Sequence, residues 1–274
     1  MYVSVAVMDT GIFRHMDFDT RIAGFADFVG RKKYLYDDNG HGTHVAGIIA
    51  GSGKGSNGKY RGIAPDTFLV SVKVLDKSGN GKIENVVEAA GWIIENKSAM
   101  NIRVVNISFG TRAKMENGPA IETGEDDYAL IMAVEKMWDS GIVVVAAAGN
   151  NGPGNASVTA PGISKKIITV GAFDDKNFFS GRGPTRECIV KPEVVVTGSN
   201  IIACNNHQGR YSSKSGTSMA APVVSGAGAR LIKNNPDITP KEVKIWMKSC
   251  CKKINLPSEK QGWGVLDIRK FVTG

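Results

Sequence analysis

The chain has 274 residues, 42% of them hydrophobic and 22% charged, a globular balance that excludes a disordered, collagenous or coiled-coil protein. No apolar run nears the ~18 residues that span a bilayer, so no membrane partner is expected. The 34 basic and 26 acidic residues leave a net charge of +8, but the basic residues are scattered. Even Arg31, Lys32, Lys33 and Lys252, Lys253 lack the interleaved aromatics of a base-stacking surface, so nucleic acid is not expected either.

In chain order, apolar β-branched runs predict strands at residues 3–8, 68–75, 103–108, 142–148, 166–172 and 194–196. The runs are continuous rather than alternating, as in strands of a parallel sheet covered on both faces. Between them, Ile83, Val86, Val87, Ala90, Ile93 and Ile94 follow the helical repeat, as do Leu130, Val134, Met137 and Trp138. Thr239, Pro240, Lys241 and Glu242 form a capping box with proline at the first helical position, opening a further helix. This alternation predicts an α/β fold, a doubly wound and mostly parallel sheet with helices on both faces. There is no repeat, low-complexity tract or linker, so residues 1–274 are expected to form a single domain.

The first eight residues carry no charged leader pattern, and Cys188, Cys204, Cys250 and Cys251 are too few and too clustered for a disulfide framework. Free thiols favour a reducing compartment, hence the cytoplasm; a secreted mature fragment is the alternative.

Ligands of open parallel sheets sit beyond the carboxyl ends of the strands. The first strand ends in Asp9, Thr10 and Gly11, which read as a turn or, in a β-rich fold with a second copy, as an aspartic protease signature. His41 opens a helix of small residues. Together with His44 it does not complete a zinc site, because a third ligand and the Glu of the zincin motif are absent; His41 reads as a base and His44 as a packed core histidine. Ser218 stands in the first turn of a helix running on through Pro222, where free N–H groups and the positive end of the dipole favour an anion.

Asp, His and Ser in this chain order, each at a strand end or helix start, match the order of subtilisin. With residues 6–11, 41–47 and 216–222, with Asn106 to Gly110 and with Ala146 to Asn150, the chain resembles the subtilase family of serine proteases (peptidase family S8) over nearly its whole length. Residues 58–65 are similar to the bacterial AprX-type branch.

The resemblance implies a serine endopeptidase in which Ser218 is the nucleophile, His41 the base and Asp9 its orienting partner. Asn150 would join the Ser218 N–H in an oxyanion hole. It further implies an extended peptide substrate pairing with Ser108, Phe109, Gly110 on one side and Gly79, Asn80, Gly81 on the other. Ile83 and Phe109 would line an apolar pocket four residues before the cut, and Ala147, Ala148 and Gly149 would flank the primary pocket.

No cofactor or catalytic metal is implied. Asp17 matches a family calcium ligand, but the segment that partners it is missing, which leaves a structural calcium optional. A propeptide or an inhibitor is the other partner implied. The acidic stretch Glu116, Glu122, Glu125, Asp126 and Asp127 serves either the N-terminus of the following helix or a preference for basic substrate residues. The competing reading is a catalytically weak subtilase-fold binding or regulatory protein.

Overall fold

The computed structural model describes residues 2–111, 124–185 and 187–274. Its centre is a nine-stranded sheet built from β1 (Ser4–Asp9), β2 (Ile22–Asp27), β3 (Phe68–Lys73), β4 (Ile102–Ile107), β5 (Val143–Ala147), β6 (Ile168–Ala172), β7 (Val194–Val196), β10 (Cys251–Lys252) and β11 (Val265–Leu266). The spatial order is β10-β11-β7-β6-β5-β4-β1-β3-β2, parallel throughout except for β10 against β11. A separate antiparallel hairpin joins β8 (Ile201–Cys204) and β9 (Tyr211–Lys214).

Because successive strand residues point to opposite faces, continuous apolar runs must feed two cores. Val5 and Val7 of β1 enter one, with α1 (His41–Ala50), α4 (Thr217–Asn234), α5 (Pro240–Ser249) and α7 (Ile268–Thr273). Ala6 and Met8 enter the other, with α2 (Ile83–Asn96) and α3 (Glu125–Asp139). This is the expected three-layer, doubly wound architecture. The four-residue α6 (Ser258–Gln261) lies near the C-terminus. The capping box opens α5 as read, Thr239 Oγ1 accepting from Glu242 N and Glu242 Oε2 accepting from Thr239 N.

The six predicted strands all form, with ends shifted by up to two residues. The other five, β2, β8, β9, β10 and β11, lack an apolar run longer than four residues. Edge strand β2 is interrupted by Gly24, β8 is a run of only four apolar residues, and β9 is polar at Ser212, Ser213 and Lys214.

The winding direction reverses between β1 and β4: the chain leaves β1 towards β3 and β2 on one side, and later runs from β4 out to β7 on the other. The crevice at the carboxyl ends of β1 and β4 is the topological switch point, where open α/β sheets place their ligands.

Candidate active site

Asp9 is the last residue of β1 and is fully buried. His41 Nδ1 lies 2.7 Å from Asp9 Oδ1 and 2.9 Å from Oδ2. A carboxylate only accepts, so Nδ1 carries the proton and donates, leaving the lone pair on Nε2. Burial pulls the imidazole pKa down, but the Asp9 charge and hydrogen bond outweigh it, and the pKa rests above the ordinary histidine value.

Why α1 starts here follows from Asp37. Gly40, at the N-cap, offers no side chain, and Asp37 caps the helix in its place: Oδ1 accepts from Gly40 N (2.8 Å) and Oδ2 from Thr43 N (2.9 Å). Asp37 Oδ1 also accepts from Thr10 Oγ1 (2.9 Å), whose oxygen accepts from Gly42 N (3.0 Å). The end of β1 and the start of α1 are thereby bolted together through one buried carboxylate. A side chain at Gly42 would overlap the Gly11 carbonyl and stand 3.1 Å from Asp9 Cβ, so this approach needs glycine. Lys73, buried at the end of β3, donates to Thr10 O (2.6 Å), Leu75 O (2.9 Å) and Asp38 Oδ1 (2.7 Å), tying the exits of β1 and β3.

Ser218 is the second residue of α4 and half buried. Its Oγ donates to Ser108 O at 2.9 Å, while Ser108 Oγ donates to Ser218 O at 3.0 Å. The second bond compensates for Pro222. Pro222 is the sixth helical residue, and its missing N–H leaves the carbonyl four residues back, that of Ser218, without its helical partner. Ser108 Oγ fills the vacancy. A buried chain continues behind it: Asn106 Nδ2 donates to Ser108 Oγ (2.9 Å) and Ser225 Oγ donates to Asn106 Oδ1 (2.8 Å).

Asn150 follows β5 by three residues. Its Oδ1 accepts from Thr217 N and from Thr217 Oγ1, both at 3.0 Å, and Thr217 Oγ1 in turn accepts from Gly149 N at 3.1 Å. With its oxygen so held, the Asn150 amide presents Nδ2 beside α4: a Cβ placed at Gly216 would lie 3.2 Å from that nitrogen. Sequence reasoning missed Thr217, Asp37 and the Asn106–Ser225 pair. The proline four residues after Ser218 signals an unpartnered carbonyl there, though not which residue fills it.

Ser108, Phe109 and Gly110 leave the end of β4, and Ala147, Ala148 and Gly149 carry on from β5, side by side in the sheet. Gly79, Asn80 and Gly81 lie beyond β3 in an exposed turn built on Asp76, whose Oδ1 accepts from Ser78 N (2.8 Å) and Asn80 N (2.9 Å). Ile83 and Phe109 are both half buried against the same apolar cluster. Glu125, Asp126 and Asp127 form the first turn of α3, as a helix N-terminus favours, and Asp126 lines a groove with residues 81–85. Glu116 and Glu122 lie outside the described residues.

His44 is the packed histidine expected. Its Nε2 lies 3.1 Å from Ile201 O and 3.0 Å from Ser212 O on the β8–β9 hairpin, and burial drives its pKa down to about 4.

Asp17 does not fit a calcium ion. Its carboxylate accepts from Gly55 N (2.8 Å), Gly53 N (3.1 Å) and Tyr211 OH (2.9 Å), and Cys204 Sγ stands 3.5 Å away. N–H groups and a thiol whose pKa burial pushes far up surround the place where a hard cation needs oxygens. His15 and Cys204 approach Asp17 closely enough to suggest a metal. His15 Nδ1 already accepts from Asp17 N (3.2 Å), and Nε2 meets Arg210 O (3.1 Å), so no imidazole lone pair is free. All four cysteines are unpaired, and among the described residues no helix is long and apolar enough to cross a membrane.

A buried carboxylate paired with a histidine, a serine in a helix's first turn and a pinned asparagine amide, all at the switch point of a parallel sheet, define the class of subtilisin-like α/β proteins. The chain belongs to the subtilase family, whose profile matches residues 2–264. It is 42% identical to serine protease AprX of Bacillus subtilis (strain 168), over 90% of this chain and 60% of that protein, so it spans less than two thirds of that relative. It is 34% identical to subtilisin DY of Bacillus licheniformis, over 90% of this chain and 82% of that one. Among solved structures, a cold-adapted subtilisin-like serine proteinase matches with a TM-score of 0.76 and 30% identity, over 96% of this chain and 86% of that one.

Proposed function

We propose that the chain is a serine endopeptidase working through Asp9, His41, Ser218 and Asn150. The observation that carries this reading is the His41–Asp9 pair, which leaves a basic Nε2 on an imidazole held by a buried carboxylate. In the resting arrangement the Ser218 hydroxyl donates to Ser108 O. Rotation about its Cα–Cβ bond turns that proton to His41 Nε2, and Oγ attacks the scissile carbonyl as the imidazole takes the proton. The negative oxygen that forms is met by the Ser218 backbone N–H and by Asn150 Nδ2, which Thr217 holds by the other end of the amide. The protonated imidazole, stabilised by Asp9, returns the proton to the leaving amine; water then repeats the sequence on the acyl-enzyme. Members of the family need no cofactor for this chemistry.

The substrate of this reading is an extended peptide lying between residues 108–110 and 79–81. Ile83 and Phe109 face the side chain four before the cut, and Ala147 to Gly149 flank the residue before it. Residues 1–274 act as one peptidase unit, open to a propeptide or inhibitor in the same cleft. Unpaired thiols favour a reducing, cytoplasmic setting. Asp126, in the groove beside residues 81–85, supports a preference for basic substrate residues there.

The bond from Ser218 Oγ to Ser108 O favours a second reading, a protein that binds peptide but holds its nucleophile back. A fluorophosphonate probe decides between them. Covalent labelling of the wild type, lost in Ser218→Ala together with peptide hydrolysis, is the expected result; folded wild type that takes no label supports the second reading. An aspartic protease is disfavoured, since the Asp9 carboxylate is bonded to His41 and Thr10 N within a parallel α/β sheet.

A further inference from the structure

The segment around Ser218 is held at three points. Gly216 N donates to Gly198 O (2.9 Å), Thr217 N donates to Asn150 Oδ1 (3.0 Å), and Ser218 O accepts from Ser108 Oγ (3.0 Å). The first two bonds run from an amide N–H to an oxygen that carries no hydrogen, so their direction is fixed. The third depends on a hydroxyl, which rotates and has one proton to give. Ser218 O needs that proton, because Pro222 denies it the helical donor.

Asn106 decides where the proton goes. Its Nδ2 donates to Ser108 Oγ at 2.9 Å, which leaves the hydroxyl free to donate to Ser218 O. An oxygen in the place of Nδ2 would draw the proton to itself and strand the Ser218 carbonyl. The other end of the amide is anchored by Ser225, whose Oγ stands 2.8 Å from Asn106 Oδ1, nearer than the 3.2 Å to Ala221 O in its own helix. Asn106 and Ser225 are fully buried and Ser108 is 3% exposed, so bulk water does not replace a lost partner. The amide also stands in an apolar layer: its register partners on β1 and β5, Val7 and Val145, both enter the core that α4 covers. An amide there costs stability unless its bonds are made. Both of its ends lead to α4, at Ser225 directly and at Ser218 through Ser108.

We propose that Asn106 is a positioning residue for the nucleophile: its amide, anchored by Ser225, commits the Ser108 hydroxyl proton to the Ser218 carbonyl and so fixes the turn that presents Ser218 Oγ and its N–H. The assignment rests on the reading of Ser218 as nucleophile.

The test uses the full chain, a chromogenic peptide and active sites titrated by a fluorophosphonate, so that kcat is counted per labelled molecule. Ser108→Ala is expected to lower kcat about tenfold with KM little changed, and Ser108→Thr, which keeps the hydroxyl, to retain it. Asn106→Asp, the same size with acceptors at both ends, and Asn106→Leu each lose about as much as Ser108→Ala. In the Ser108→Ala background neither lowers kcat further, because the proton they redirect is gone. Ser225→Ala loses less, about threefold, again only while Ser108 is present, and it carries the test should the variants at 106 not fold. Variants at 106 or 225 that melt lower but turn over at the wild-type rate, or losses that multiply with that of Ser108→Ala, overturn the positioning role and leave the protease reading standing. Folded wild type that takes no label overturns that reading and this assignment with it.

Discussion

Two histidine–aspartate neighbours lie in this protein, and they have opposite characters. His41 and Asp9 meet at 2.7 Å, with the imidazole side chain 25% exposed. His15 and Asp17 approach only to 3.8 Å between Nδ1 and Oδ1, and both side chains are wholly buried. Burial lowers the His15 pKa and the Asp17 charge does not restore it, whereas the Asp9 charge raises His41 past its own burial penalty. The difference lies in where the hydrogen bonds go. Asp17 is occupied by two glycine N–H groups and a tyrosine, and both nitrogens of His15 are engaged. Asp9 turns its two oxygens to His41, whose Nε2 keeps a lone pair at the cleft. One pair is closed on itself and the other leaves an imidazole nitrogen open, because only there does hydrogen-bonding capacity remain unsatisfied.

The sharpest way to break the contrast is to remove the charge from each pair. Asp9→Asn is expected to cut kcat/KM by about 10⁴-fold, the scale known for this change in another triad. The wild-type profile also carries a sign. Activity needs neutral His41, so kcat/KM rises with pH through an inflection above about 6.5, and Asp9→Asn moves the inflection down because the raising charge is gone. An inflection at or below the ordinary histidine value in wild type would mean that Asp9 does not act on His41 as described.

Asn150→Ala comes next, at about 10²- to 10³-fold in kcat with little change in KM, the range established for oxyanion-hole donors in this family. Thr217→Val should reproduce part of that loss, since it frees the amide to turn. If KM alone moved, Asn150 would be a substrate-binding rather than an oxyanion group.

Asp17→Ala should act on the other side of the comparison. It strands Gly53 N, Gly55 N and the Tyr211 hydroxyl, and a loss of about 3 kcal/mol is expected from urea unfolding, with the rate per fluorophosphonate-labelled molecule unchanged. The smallest effect expected is none: a chelator should leave the melting temperature where it was, because Asp17 is surrounded by donors. A melting point that falls with chelator and recovers with calcium would overturn that account.

His44 offers a check on burial by itself. Its folded pKa, about 4, lies below the model-peptide value near 6.5, so the unfolded chain binds the extra proton first. Stability contributed by neutral His44 is therefore complete above about 6.5 and drains away as pH falls towards 4, by about 3 kcal/mol at the end of that window. A His44→Gln variant should flatten this slope in urea midpoints.

The sequence by itself determined the layers and the chemistry's address. Continuous apolar runs can be buried only by helices on both faces, and parallel strands bring their carboxyl ends, with Asp9, Ser108 and Asn150, to one edge. The strands it did not reveal, β2, β8 and β9, are half-exposed edge and hairpin segments in which a glycine, short length or polar residues erase the apolar signal. What only the tertiary structure decided is which polar atoms are already engaged. Asp17 looks like a metal ligand in the sequence and is closed off by loop N–H groups from residues 53 and 55. Ser108 reads as a substrate edge and also supplies the hydrogen bond that Pro222 denies Ser218. Thr159, unremarked in the chain, lies under Gly110 and Gly149 with its hydroxyl unmatched. Hydrogen-bond partners far apart in sequence are set by packing distances, and those distances exist only once the sheet has brought the segments together.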